Sequence, residues 1–279
     1  MLFSFLVTLR EGVEIALVLA IVLGYLGRTG NRRHFRPIWI GAASAAAVSV
    51  AFTGILQVTA ARLSGQALEA FEGVTMLAAV GVLTWMVFWT RKQAASIGRE
   101  LREQVESAIR RGSLVALVGL AFSAVAREGI ETALFLFAGA QSQAGGGWAF
   151  VLGGLLGFGL SGLIGVVIYA GSHRLPLRPF FLVSGVAVLV LSAGLLTNGI
   201  SELQHSGLVP NLGPRPWDSE ALIASTSMSG KFLHTLIGYD SSPTLGQVLA
   251  YFGYLGAGLA LFLSDLWPRR VPAVVGPES

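Results

Sequence analysis

Long apolar runs, separated by short polar ones, organise this chain. They lie near 2–26, 38–60, 70–90, 114–138, 148–170, 181–203 and 247–267. Each is about the twenty residues that a helix needs to cross the hydrocarbon core of a bilayer. The pattern predicts an all-α integral membrane protein with seven transmembrane helices. One transmembrane domain then fills 1–270, with a loop at 203–246 and a short tail at 271–279, and no room remains for a second soluble domain.

Charge fixes the expected orientation. Of 279 residues, 53% are hydrophobic and 12% charged, whereas a soluble domain is nearer one quarter charged. With seven spans, the basic residues fall unevenly between the two sides. Fourteen flank one side: Arg28, Arg32, Arg33 and Arg36; the six of the 90–114 loop; Arg174 and Arg178; Arg269 and Arg270. The other side holds three, Arg62, Arg215 and Lys231. The positive-inside rule places the N-terminus outside and the C-terminal tail in the cytoplasm. The net charge of +4 is explained by these loops, so no nucleic-acid partner is expected.

No basic n-region precedes the first run, and its apolar stretch is broken by charges, so that span is expected to be retained. Cysteine is absent, which excludes disulfides, thiolate metal sites, iron–sulfur clusters and c-type haem attachment. Gly153, Gly154, Gly157 and Gly162 in the fifth run, and Gly253, Gly256 and Gly258 in the seventh, are expected to let neighbouring helices approach closely. The stretch from Trp217 to Tyr239 mixes apolar and polar residues, as a helix lying on the membrane surface would.

The chemistry sits inside two of the spans. Arg10-Glu11-Gly12-Val13-Glu14 and Arg127-Glu128-Gly129-Ile130-Glu131 are nearly identical and lie mid-run, in the first and fourth spans. Each charged group costs on the order of 2.5–3.5 kcal/mol at the centre of a spanning helix. Such residues mark substrate or ion pathways by default. On a helix, Glu11 and Glu14 share a face, as do Arg10 and Glu14, and the second copy repeats the arrangement. The arginine stays charged and holds its neighbouring carboxylate ionised. Carboxylate oxygens suit hard cations; soft metals would favour sulfur or imidazole. Gly12 and Gly129 clear space beside the acids for a second helix or an ion. The competing reading is an intrahelical salt bridge used for docking, which small residues would serve better.

Three spans separate the two motifs, so their helices run in opposite directions. Spans one to three and four to six therefore predict a 3+3 inverted repeat plus one, an architecture with its binding site near midplane. Further acids lie towards the outer surface. Glu72 and Glu202 suggest an external capture site, with Glu69 and His205 as weaker members; Glu69 and Glu72 also suit the helix N-terminus on dipole grounds alone. Glu100, Glu103 and Glu106 alternate with arginines as on a solvated helix face.

The paired motifs, together with EAFEGVTMLAAVGVLTWMVFW (69–89), FFLVSGVAVLVLSAGLLTNGISELQHSGLVP (180–210) and GYDSSPTLGQVLAYFGYLG (238–256), resemble the oxidase-dependent iron permease family and its bacterial EfeU-type members. The resemblance covers most of the chain. It implies an importer in the bacterial inner membrane that moves Fe³⁺, with Fe²⁺ left open. Arg10, Glu11, Glu14, Arg127, Glu128 and Glu131 map directly onto the family's iron-handling motif. Iron is then substrate, with no permanently bound cofactor, and a separate extracytoplasmic protein oxidises or delivers it. A carrier of another hard divalent cation, Mn²⁺ or Ca²⁺, is the alternative. An enzyme is not expected: HExxH, GxSxG and His-rich clusters are all missing.

Overall fold

The computed structural model describes residues 1–93, 97–142, 147–171, 177–211, 213–220, 227, 230, 233 and 238–264. Among them there is no strand. The helices are α1 (Leu2–Arg28), α2 (Phe35–Arg62, after a 3-10 turn at Arg32–His34), α3 (Gln66–Gln93), α4 (Ile97–Arg110), α5 (Leu114–Gln141), α6 (Trp148–Tyr169), α7 (Leu177–His205) and α8 (Leu245–Ser264). Five of them, α2, α3, α6, α7 and α8, are long and apolar enough to cross a membrane. At 27 and 28 residues, α1 and α5 are equally long, but each is interrupted by its charged motif.

Helix α4 is of another kind, with 14 residues and a polar outer face. Its apolar side (Leu101, Val105, Ala108) shares a cluster with Val22, Leu23 and Leu26 of α1 and Leu117 and Ala121 of α5. The turn that follows is compact. Gly112 sits at φ 63°, where a side chain would be strained, and the Ser113 N–H donates to Ala108 O at 3.0 Å. The Ser113 hydroxyl then accepts from Ala116 N at 3.1 Å and caps α5.

Contacts fix the relative directions of the helices. On α1 and α6, Phe3 stacks on Phe150, and the Thr8 hydroxyl donates to Gly154 O at 3.1 Å. Further along the same pair, a Cβ at Gly12 would overlap Ser161, and one at Gly165 would meet Ala16. These two helices run parallel. So do α2 and α5, where Gly41 lies against Val118 and Ala121, and Gly129 against Ser49. By contrast, α1 and α5 are antiparallel: Phe3 meets Gly139 at one end, and Leu26 clusters with Leu117 at the other. Helices α3 and α7 oppose each other as well, with Gly73 against Leu203 and Gly199 against Met76.

The glycine expectation holds at some positions of each helix and fails at others; on α8 the buried Gly258 lies against Leu189 of α7. Gly153 and Gly157 abut Met1, Phe5 and Thr8, where any Cβ would clash. Gly162, Gly253 and Gly256 have no described neighbour within 4 Å; they lie on exposed faces of their helices. A glycine count along a span does not say which face it occupies. The stretch expected to form a surface helix, Trp217 to Tyr239, lies largely outside the described residues, as does 265–279.

Candidate metal centre

Because α1 and α5 are antiparallel and touch, their two motifs meet inside the bundle. Within each motif, helical spacing does the first part of the work. Arg10 places Nη1 3.7 Å from Glu11 Oε1 and Nη2 3.5 Å from Glu14 Oε1. In the second copy, Arg127 Nε donates to Glu128 Oε1 at 2.8 Å, its Nη2 reaches the same oxygen, and Nε lies 3.9 Å from Glu131 Oε1.

Across the helix pair, Glu11, Glu128 and Glu131 each present a carboxylate oxygen within 4.8 Å of the other two. All three are buried. Both oxygens of Glu11, Oε2 of Glu128 and Oε2 of Glu131 accept no hydrogen bond among the described residues. Buried polar atoms are ordinarily satisfied, and each orphan costs about 1–3 kcal/mol, more when charged. Three converging carboxylates with free lone pairs form an oxygen cage of the kind hard cations fill.

Residues 1–269 match the model of the iron permease FTR1 family. The chain belongs to that family. It is similar to a protein named ferrous iron permease EfeU from Escherichia coli O6:K15:H31 (strain 536), at 35% identity over 265 residues, covering 94% of this chain and 95% of that one. A second protein of that name, from Yersinia pestis, is 34% identical over 264 residues, with 94% and 93% covered. No solved structure matches. The FTR1-family chain is thus a multi-pass membrane protein that takes up iron, a transporter rather than an enzyme.

The permease does not treat its four motif acids alike. Glu14 stands apart from the three-carboxylate cluster. It is held by Arg10 and by Thr90 of α3, whose hydroxyl donates to Glu14 Oε2 at 3.4 Å. Helix α3 supplies two more partners. Met86 Sδ lies 3.4 Å from Arg10 Nη1, and the Trp89 ring stacks 4.1 Å beneath the Arg127 guanidinium. None of these three positions carries a titratable group, so charge reasoning passes over them. A signal was present in the i, i+4 pair Trp85 and Trp89, which stack on each other at 5.7 Å between ring centroids.

Gly12 and Gly129 turn out to serve helix packing. Their missing side chains admit Ser161 of α6 and Ser49 of α2 respectively. Towards the Met1 end of the bundle, Gln141 Nε2 donates to Glu72 Oε1 at 2.6 Å. Glu72 lies within electrostatic reach of Glu69 and Glu202, and Glu202 of His205. His205 itself is exposed. These residues do not join the motif cluster, and no second metal-sized group of acids forms among the described residues.

Proposed function

We propose that iron crosses the bilayer through the carboxylate site built by the two Arg-Glu-Gly-x-Glu motifs. The observation that carries this reading is the convergence of Glu11, Glu128 and Glu131, with four of their oxygens accepting no hydrogen bond among the described residues. Glu14 completes the acid set one turn away. Glu72 and Glu202, with Glu69 and His205, form a negatively charged entrance that raises the local cation concentration.

The site belongs to a seven-span bundle, with α1 and α5 crossing the membrane alongside the five more apolar helices. An N-terminus outside and a cytoplasmic C-terminus follow from the basic loops. A 3+3 inverted repeat, α1–α3 against α5–α7 with α8 added, is supported by matching contacts. Gly41 of α2 packs on Val118 and Ala121 of α5 just as Gly153 of α6 packs on Met1 and Ser4 of α1. The motif glycines then meet Ser49 and Ser161, and Ser49 follows Gly41 at the same interval as Ser161 follows Gly153. The site falls between the halves, as in other inverted-repeat carriers.

The species delivered is Fe³⁺, handed over by a separate extracytoplasmic protein that oxidises or carries it. Ferrous iron is the second reading. It is favoured by the name of the relatives, ferrous iron permease, and by charge: four motif carboxylates against two guanidiniums leave two net negative charges, which a divalent ion cancels.

Uptake of radioactive iron into vesicles holding the purified protein tests the site. Glu11→Gln and Glu128→Gln should each lower uptake by about a hundredfold or more, since removing one of three charged ligands weakens every state in which the ion is held. Normal uptake by both variants would end the proposal. Running the assay with and without a reductant separates the two valences, and competition by Mn²⁺ and Ca²⁺ separates iron from other hard cations.

A further inference from the structure

Sequence makes Glu11 and Glu14 equivalent to Glu128 and Glu131, but the structure places only three of them together. The fourth, Glu14, is as buried as Glu131 and is held away from the cluster by a residue outside either motif. Thr90 Oγ1 donates towards both Glu14 oxygens, at 3.4 and 3.5 Å, and Arg10 Nη2 holds Oε1 at 3.5 Å.

The helix directions turn this asymmetry into an order. Residues three apart on a helix differ by about 4.5 Å along its axis. Glu14 lies one turn from Glu11 towards the Leu26 end of α1. Because α5 is antiparallel, Glu131 lies one turn from Glu128 towards the Phe3 end. The four acids thus form a ladder, with Glu131 on the Phe3 side of Glu128 and Glu14 on the Leu26 side of Glu11. Helix α3 runs beside it in the same direction as α1, since Met86 meets Arg10 and Thr90 meets Glu14. Its residue Glu72, bonded to Gln141 of α5, marks the end of the ladder nearest Glu131.

We infer that Thr90 is a positioning residue that reserves Glu14 as a second, inner station for the ion. Three carboxylates capture the cation; Glu14, kept out of that cage by Thr90 and Arg10, receives it one turn further on. A carboxylate free to swing into the cage would add a fourth charged ligand there and hold the ion too tightly for it to move on. Thr90 therefore acts on release and not on capture. This rests on the carboxylate site proposed above.

The test separates binding from movement. Equilibrium binding of radioactive iron to purified Thr90→Val is measured beside uptake into vesicles. Losing a hydrogen bond to a charged group predicts an uptake rate about tenfold lower, with iron held as tightly as in the unaltered protein or more tightly. Thr90→Ser keeps the hydroxyl and should restore uptake; Thr90→Ala should behave as Thr90→Val does. Unchanged uptake in both Thr90→Val and Thr90→Ala overturns the inference, and so does a loss of binding that matches the loss of uptake. Glu11→Gln is the control for the underlying site: if it still binds iron normally, the three-carboxylate cage falls, whatever the Thr90 variants do.

Discussion

The two pentapeptides differ by a single methylene, Val13 against Ile130, yet they sit in unlike surroundings. Val13 is buried, whereas Ile130 is 36% exposed. The Arg10 side chain is 2% exposed and lies against Met86; that of Arg127 is 35% exposed and lies on Trp89. What the copies share comes from helical spacing: an arginine reaching both of its own glutamates, and a glycine admitting a serine from a neighbouring helix. What separates them comes from α3, which touches both motifs with different residues. Duplication supplies the acids, and a third helix assigns their duties.

The sharpest way to break this comparison is to remove each arginine in turn. Arg10→Ala leaves Glu11 and Glu14 buried without the guanidinium that contacts them, and losing one partner of a buried pair costs about 3–5 kcal/mol. Arg127→Ala should cost less than half of that, because its more exposed position is partly screened. Thermal unfolding in detergent checks the order. Equal losses would mean that the difference in exposure has no energetic meaning.

Replacing the motif glycines sharpens the shared part instead. A Cβ at Gly12 falls 2.8 Å from Ser161 Cβ, and one at Gly129 falls 3.0 Å from Ser49 Cβ. Overpacking of that kind costs about 1–3 kcal/mol. Gly12→Ala and Gly129→Ala should therefore destabilise by similar amounts, with Ser161→Gly and Ser49→Gly each relieving its own partner. Crossed combinations should give no relief.

Much of this was legible in the residues. Apolar runs located the helices, and charge in the wrong place located the motifs. Three crossings between the copies implied the opposed directions in which α1 and α5 run. Other features needed coordinates because their signals are not periodic. Thr90 is one of three threonines along α3, with Thr75 and Thr84, and its meaning depends on α3 lying parallel to α1. Glycines at 253 and 256 read like those at 153 and 157, but only the latter face another helix. Glu14 and Glu11 look interchangeable in a linear string, and what distinguishes them is the Thr90 hydroxyl that α3 brings to Glu14.

A smaller effect is expected at Trp89. Its stack on Arg127 is worth about 0.5–2 kcal/mol, depending on how dry the contact is. Trp89→Leu keeps apolar bulk but loses the ring face, so it should loosen Arg127 and leave Arg10 unaffected. Iron uptake should fall by a few-fold, and Trp89→Phe, which keeps a weaker ring, should recover part of it. A drop as large as that of Glu128→Gln would show that the ring does more than hold the guanidinium.

The smallest effect belongs to a pair with the same spacing as the motifs. Arg99 and Glu103 on α4 are an i, i+4 pair at 4.0 Å, close in separation to Arg127 and Glu131 at 3.9 Å. Their side chains are 78% and 68% exposed, and arginine ahead of glutamate is the weaker order on a helix. Exposed pairs of this kind contribute about 0.2–1 kcal/mol at most. Arg99→Ala should therefore leave uptake unchanged and shift stability by less than about 0.5 kcal/mol. Set against Arg10→Ala, the contrast compares a buried arginine holding two glutamates with an exposed one holding a single glutamate at the same helix spacing, 3.5 against 4.0 Å for the i, i+4 pair. A large loss from Arg99→Ala would mean instead that α4 is fastened to the bundle by its charged face as well as by Leu101 and Val105.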